Sequence, residues 1–370
     1  MSSWKKILLD HLEFGTTQTK DGVSVIPLKL ASVFEMHTLA QAAEQGMVEV
    51  LESESVNELR LAYSSPIPTL IPYLQVVAGG KQDRMLTEPI ILSSATKEKE
   101  IITVPVNCIE RGRWEYSRRS TGEQTSSKFK VHHARMNPSV GFANVKAAQS
   151  ATWGSVDWYQ KKREVAMEIA PSQSFIEVEE AAQEVTEKES GESETLQELK
   201  EFIESSGDLI PKQTGLALFV DNELIGVELY GTPQIWEGQK EAVCKSYFSE
   251  VTLQELKKSD VREDLLKNIL INALNKLVLK QEETEGQGNL FIARSDEDHD
   301  YSALLIEYDG KIAEFYYAKG EKELLTSTQH PEPVQMETLQ QRIIDPVETE
   351  LTIQQEIMGE KSPDEEDEDD

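Results

Sequence analysis

TGLALFVDNELIGVELYG (residues 214–231) gives the clearest indication of the fold. Two apolar runs flank Asp221-Asn222, and Asp and Asn tolerate the left-handed backbone that a tight hairpin turn requires. The stretch therefore predicts two antiparallel strands joined by a short turn. SALLIEYDGKIAEFYYAK (302–319) has the same form around Asp309-Gly310 and predicts a second hairpin.

The first third of the chain also carries strand patterns. GVSVIPLKL (22–30) and TLIPYLQVVAGG (69–80) are apolar runs, and each predicts one strand. Thr38 is a suitable N-cap for a short helix that Gly46 ends. Further strands are predicted in MVEVLES (47–53), NELRLAY (57–63), PIILSSATK (89–97) and EIITVPVNCIE (100–110).

Helical periodicity dominates three later segments. They are residues 139–169, 194–207 and 261–280, where apolar residues recur at helical spacing. No GxGxxG or Walker pattern is present, and strands do not alternate regularly with helices. We therefore predict an α+β fold: a β-rich body with several packed helices, an acidic disordered insertion and an acidic C-terminal tail.

The net charge of −30 is concentrated in two segments. Residues 171–195 carry −7 and residues 321–370 carry −13, so the rest of the chain is only mildly acidic. We predict a single domain over 1–320 with a disordered insertion at 171–195, followed by a mostly disordered tail over 321–370. These acidic segments would repel bulk nucleic acid.

Composition favours the cytoplasm. No apolar run reaches the roughly 18 residues of a membrane span, and the first residues are a poor signal peptide because Asp10, His11 and Glu13 follow the lysines. The two cysteines, Cys108 and Cys244, are too few for a disulfide framework and lack the spacing of a metal site.

GGKQDR (79–84) and ERGRW (110–114) bring positive charge and glycine together in an acidic chain. Arginine grips phosphate or carboxylate through its planar fork, lysine adds a point charge, and glycine lets backbone N–H groups approach an anion. Two interpretations are open: an anion site, or surface turns in which Glu110 forms a structural ion pair with Arg84 or Arg113.

The same segments carry a resemblance. Gly79-Gly80-Lys81-Gln82-Asp83-Arg84, followed by Val106 to Trp114 (VNCIERGRW), resembles the paired motif of the ARPP domain family, named for its association with ADP-ribosylglycohydrolases (ARG) and the rhodanese–phosphatase superfamily. The resemblance extends over roughly residues 14–320. Two residues depart from the pattern: Asp83 stands where the family has Asn, and Lys245 where it has Arg.

The resemblance implies a protein of ADP-ribose metabolism that binds an anionic small molecule, plausibly a nucleotide or ADP-ribose derivative. A reaction, if there is one, would be hydrolysis or transfer at a phosphate or glycosidic bond, with Glu110 as acid or base and Arg113 and Arg84 steadying charge. The remaining ligand-binding candidates are Gly79, Gly80, Lys81, Gln82, Arg111 and Trp114. No cofactor is indicated.

Other candidate groups favour structural roles. Cys108 shares a strand face with Val104 and Val106, so we expect it in the core rather than as a nucleophile. His132-His133 lacks a nearby carboxylate or metal-ligand spacing, which favours surface histidines over a general base. An alternative function of another class is a non-catalytic interaction protein whose acidic segments engage a basic partner.

Overall fold

The computed structural model describes most of the chain before residue 321. The described ranges are 3–31, 34–51, 55, 57–78, 83–95, 99–110, 130–170, 172, 174–187, 191–257, 261–295 and 300–320, with the backbone alone at 3, 130–134 and 191–194. The predicted tail at 321–370 lies outside these residues and stays a prediction.

Helices and strands are numbered in chain order. The helices are α1 Ser3–His11, α2 Leu39–Glu44, α3 Pro138–Asn144, α4 Gln149–Ala166, α5 Phe175–Glu187, α6 Gly191–Ser205, α7 Pro233–Val251 and α8 Glu263–Lys276. The strands before α3 are β1 Leu12–Phe14, β2 Gln18–Lys20, β3 Val23–Leu30, β4 His37–Thr38, β5 Val48–Leu51, β6 Glu58–Tyr63, β7 Thr69–Ile71, β8 Gln75–Ala78, β9 Arg84–Met85, β10 Ile90–Leu92, β11 Glu100–Pro105, β12 Asn107–Cys108 and β13 Lys130–Arg135. The later strands are β14 Gly215–Val220, β15 Glu223–Tyr230, β16 Lys280–Glu282, β17 Asn289–Ala293, β18 Tyr301–Tyr308 and β19 Lys311–Lys319.

Both predicted hairpins are confirmed, and they form the middle of a nine-stranded antiparallel sheet. Its order is β1-β3-β14-β15-β19-β18-β17-β16, with β2 paired to β3. Asp221 and Asn222 both have positive φ, as do Asp309 and Gly310. Two consecutive residues of positive φ twist a two-residue turn in the sense that matches the twist of the flanking strands.

The large sheet is covered on both faces. Along β14, Leu216 and Leu218 pack with residues of α3 and α7 in one core, while Ala217 and Phe219 pack with α8 in another. All six residues of β14 are buried as a result. A strand covered on both sides reads as a continuous apolar run rather than as an alternating pattern, because neither face meets water.

Three smaller sheets are built by the first third of the chain, as its strand patterns predict. Their orders are β10-β7-β4, β11-β6-β5 and β12-β9-β8-β13. Thr38 caps α2 with its side chain, Gln41 completes the capping box, and Gly46 follows the helix with positive φ. The eight helices and several antiparallel sheets in the described part of the chain confirm the α+β class.

One strand predicted from the pattern is divided in the structure. The single strand predicted at 69–80 is wrong: β7 and β8 are separate, because Leu74 between them has a φ of 63° and a left-handed residue breaks a strand. Within the acidic segment 171–195, α5 buries Phe175, Val178 and Ala182. These three residues fall on one face of a helix, which gives this part of the segment an apolar side to pack.

Candidate functional site

The two motif segments lie side by side in the four-stranded sheet. β9 and β12 pair antiparallel, with Arg84 opposite Cys108 and Met85 opposite Asn107. The contact continues past the strands, since the Ile109 amide donates to the Asp83 carbonyl oxygen at 3.1 Å. Segments that are about 25 residues apart in sequence are therefore neighbours in space.

Four chain positions meet at one end of this sheet. β8 ends at Ala78 and pairs with both β9 and β13, and Ala78 lies opposite Lys130, the first residue of β13. Because every pair in the sheet is antiparallel, the end of β8, the start of β9, the end of β12 and the start of β13 share one edge. The described residues on either side of 79–82 and of 111–129 therefore all lie at this edge.

Three charged side chains of the motifs are buried at this edge. Arg84 and Glu110 have only 2% and 1% of their surface exposed, and Asp83 is buried beside them. The Asp83 amide donates to the Glu110 carboxylate at 3.4 Å. Arg84 and Glu110 thus lie at the same strand pair, and the fold holds both in its interior.

The remaining predicted site residues lie outside the described residues. They are Gly79, Gly80, Lys81, Gln82, Arg111, Arg113 and Trp114. Their convergence with Arg84 and Glu110 stays a prediction. The side chains of His132 and His133 also lie outside the described part of the chain.

Cys108 is fully buried in this strand pair. Burial raises the pKa of its thiol to about 11, although Arg84 opposes that shift. The thiol donates to the carbonyl oxygen of Glu110 at 3.1 Å. A protonated, enclosed thiol is a packing group and not a nucleophile at neutral pH.

The second motif is attached to α4 by a side chain that mimics a strand. Gln149 accepts from the Cys108 amide at 2.8 Å and donates to the Cys108 carbonyl oxygen at 2.7 Å. Beside it, Asn107 donates to Thr152 and to the Ala147 carbonyl oxygen. The backbone groups of β12 on the side away from β9 are thereby hydrogen-bonded by a polar side chain at the start of α4. The sequence pattern did not indicate this role for Gln149.

A buried charged cluster joins the same sheet to the large one. Arg135, the last residue of β13, donates to both carboxylate oxygens of Glu228 at 2.7 and 2.9 Å. Glu314 lies 3.7 Å from the same guanidinium and accepts from the Tyr73 amide. All three charged side chains are at most 1% exposed. One guanidinium therefore serves two buried carboxylates.

Burial dominates the protonation of this cluster. It raises the pKa of Glu228 to about 7 and that of Glu314 to about 8, with Arg135 opposing both shifts. Burial alone would lower the pKa of Arg135, but the neighbouring Glu228 and Glu314 raise it overall. At neutral pH one positive charge thus faces a carboxylate pair that retains a proton. Four buried tyrosines surround the group: Tyr73, Tyr230, Tyr247 and Tyr316.

Sequence reasoning missed this cluster, although a signal was present. Glu228 stands in LIGVELYG and Glu314 in KIAEFYY, each inside an otherwise apolar strand. In adjacent strands Glu228 lies opposite Tyr316, and Tyr230 lies opposite Glu314. A carboxylate within a buried strand requires a partner, but the pattern does not say that the partner is Arg135.

An open groove of about 1000 Å³ lies toward the other end of β9 and β12. Asn107, Glu88, Lys146 and Glu283 are among its lining residues. Lys146 pairs with Glu88 at 2.8 Å and donates to the Glu283 carbonyl oxygen, so its ammonium group is engaged by neighbouring groups of the groove. Neither Arg84 nor Glu110 lines this groove.

Two classes of site find no support in the described residues. Across those ranges, no group of three or more His, Cys, Asp or Glu side chains is arranged to hold a metal ion. None of the helices described has the length and apolar character needed to cross a bilayer.

Fold and site together define an α+β protein that carries a paired basic motif on a small sheet beside a large antiparallel one. The family model of the ARG and Rhodanese-Phosphatase-superfamily-associated Protein domain (ARPP-1) matches residues 11–317. The chain belongs to this family, which confirms the resemblance seen in the paired motif. Comparisons with curated proteins and with solved structures gave no match.

Proposed function

We propose that this protein binds an anionic small molecule, a nucleotide or ADP-ribose derivative, at the edge where Ala78, Arg84, Cys108 and Lys130 lie. The observation that carries the proposal is the antiparallel register of β8, β9, β12 and β13. It brings the ends of both basic segments to one edge of one sheet.

The two segments whose described neighbours lie at this edge carry charge of the opposite sign to that of the chain. Residues 79–84 and 110–130 hold eight lysines and arginines against four acids, in a chain with a net charge of −30. A local excess of cations in an acidic protein attracts small anions more than polyanions, because the acidic segments repel large negative partners. Lys81, Arg111 and Arg113 are the side chains that we assign to the phosphate groups.

The buried pair gives this edge a rigid base. Arg84 and Glu110 sit in the interior, where charges act more strongly than in water. Glu110 follows β12 directly, one residue before Arg111. The family description, an association with ARG and the rhodanese–phosphatase superfamily, favours ADP-ribose-related metabolism as the setting, and we place the protein in the cytoplasm.

Calorimetry with ADP-ribose tests the binding proposal. We expect saturable binding that weakens at high salt. Arg113→Ala and Lys81→Ala should each lower the affinity by about tenfold, since each removes a charged contact to phosphate. Lys245→Ala is the matched control, because Lys245 is half exposed on α7 and pairs with Glu241. Equal losses in all three variants, or no binding of ADP-ribose, ADP or AMP by the intact protein, would refute the site.

A reaction at this site is a separate step of the proposal. Glu110 is the acid or base for hydrolysis or transfer at a phosphate or glycosidic bond, and Arg113 stabilises the developing charge. The test is to incubate the protein with ADP-ribose and its O- and N-linked derivatives and to measure product by chromatography. Glu110→Gln should abolish turnover while binding persists. Binding without turnover in the intact protein would leave a binding protein and remove the catalytic role.

A second candidate function rests on α5. Its outer face presents Glu177, Glu180, Glu184 and Glu187, all exposed and at helical spacing. Such a face fits a basic protein partner. Replacing the four residues with Gln should abolish capture of a lysine-rich peptide if this function holds, and should leave ADP-ribose binding unchanged in either case.

A further inference from the structure

Arg135 connects two sheets through one guanidinium. Its Nη1 donates to the Tyr73 carbonyl oxygen, next to β8, and its Nη2 donates to Glu228 on β15. Glu314 on β19 forms a second link between the two sheets, because its carboxylate accepts from the Tyr73 amide at 3.2 Å. The bridge therefore fixes the start of β8 and the end of β13 against the middle strands of the large sheet.

Each of the two strands held in this way adjoins one end of a basic segment. β8 runs from Gln75 to Ala78 and leads into residues 79–82, whereas β13 receives the chain after residues 111–129. Arg135 lies opposite Gln75, and the pairing shifts register between Val131 and Arg135. A strand with an irregular ladder has fewer backbone hydrogen bonds to define its position. A side-chain contact at its end therefore contributes more to fixing the position of the strand.

The chemistry of the bridge is suited to positioning. Buried ion pairs contribute little net stability relative to well-packed apolar groups, because the charges lose their hydration. A guanidinium, however, presents donors in a fixed plane, and it can hold partners on two elements at once. Glu228 and the Tyr73 carbonyl oxygen occupy two of these directions.

We propose that Arg135 is a positioning residue for the anion site: it sets the register of β13 on β8, and so the relative placement of the two basic segments, without touching the ligand. This inference rests on the proposed function, and it concerns described residues at the end of the sheet away from the anion.

Arg163 provides a matched control. It is also a buried arginine, 2.7 Å from Glu179, and its Nη1 donates to the Thr252 hydroxyl and the Ser249 carbonyl oxygen. It ties α4 to α5 and to the end of α7, and none of these partners belongs to the four-stranded sheet. Loss of Arg163 removes a buried charge of the same type from another part of the fold.

The test compares Arg135→Lys, Arg135→Gln and Glu228→Gln with Arg163→Lys and Arg163→Gln, all in the full-length protein. Hydrogen exchange followed by mass spectrometry is read first, because it needs no ligand. We expect faster exchange in peptides covering 75–85 and 130–136 for the Arg135 and Glu228 variants, and unchanged exchange there for the Arg163 variants. Uniform acceleration in both sets would overturn the proposal.

Ligand affinity is read second, with ADP-ribose as the probe. We expect the dissociation constant to rise about tenfold or more in Arg135→Gln, less in Arg135→Lys, and not in an Arg163 variant of similar melting temperature. Equal weakening in both sets would assign the effect to general instability and refute positioning. If intact protein binds no ADP-ribose, the proposed function fails, and the exchange data alone decide whether Arg135 sets the strand register. If Arg135→Gln does not fold, Glu228→Gln and Arg135→Lys decide in its place.

Discussion

Arg84 lies directly opposite Cys108 in the antiparallel pair of β9 and β12. A cation so close to a thiol normally activates it by favouring the thiolate. Here burial has the larger effect, and the pKa of Cys108 rises to about 11. The arrangement serves packing within the paired motif and argues against nucleophilic chemistry at this cysteine.

Both cysteines should therefore resist alkylation in the folded protein. Burial raises the pKa of Cys244 to about 12 as well, and both side chains are enclosed. We expect iodoacetamide at pH 7.5 to label neither cysteine in native protein within an hour, and both in denaturant. Mass spectrometry of the labelled peptides is the measurement. Rapid native labelling of Cys108 alone would restore its candidacy as a nucleophile.

Stability should fall as pH rises from about 4.5 to about 8 because of the buried carboxylates. Glu228 and Glu314 have raised pKa values, so the folded state binds more protons than the unfolded state in this window. Their contribution is complete below the unfolded pKa and is lost as pH passes the folded values. The two pKa values lie roughly 2.5 and 3.5 units above 4.5, and one pKa unit is about 1.4 kcal/mol, so across the window we expect a loss of up to about 8 kcal/mol.

Glu314→Gln isolates this effect. Gln can accept from the Tyr73 amide but cannot ionise, so the variant avoids the buried second charge at high pH. Its free energy of unfolding relative to that of the parent should increase between pH 5 and pH 9. Urea denaturation at both pH values measures the difference. A variant whose stability difference is constant with pH would show that Glu314 does not titrate in this window.

Much of the fold follows from local chemistry that a sequence displays. The turns at Asp221-Asn222 and Asp309-Gly310 need positive φ, and the residues that adopt it are visible in the chain. Thr38 and Gln41, which are three residues apart, likewise form a capping pattern that indicates the start of a helix. The paired basic motif indicated the family for the same reason, because each of its segments is short.

The rest depends on contacts between distant segments. Arg135 meets Glu228 across 93 residues, and no local pattern encodes that encounter. Gln149 is an ordinary surface-type residue whose role appears only once α4 lies against β12. The left-handed Leu74 is similarly set by its surroundings, as its N–H and C=O groups bond to loop partners on both sides. Register and burial, and hence the position of the site, are properties of the assembled fold.

Gln149→Ala should destabilise the paired motif by about 1–3 kcal/mol. The substitution removes both hydrogen bonds to the Cys108 backbone and leaves those groups partly buried without a partner. Gln197→Ala is the control, because Gln197 bonds only to exposed Glu201 on the same helix among the described contacts. Thermal unfolding of both variants gives the comparison, and a melting temperature for Gln149→Ala equal to that of the control would contradict the attachment.

Gly310→Ala should cost about 1–2 kcal/mol through backbone conformation alone. Gly310 has a φ of 71°, and an added Cβ would meet no atom within 4 Å, so the loss comes from placing an L-residue in the left-handed region. Gly310→Asn should recover part of that loss, because Asn tolerates this conformation better than Ala does. Urea denaturation of the three proteins tests the order Gly, Asn, Ala in decreasing stability. If Ala matched Gly, the turn of the second hairpin would not hold its positive φ in solution.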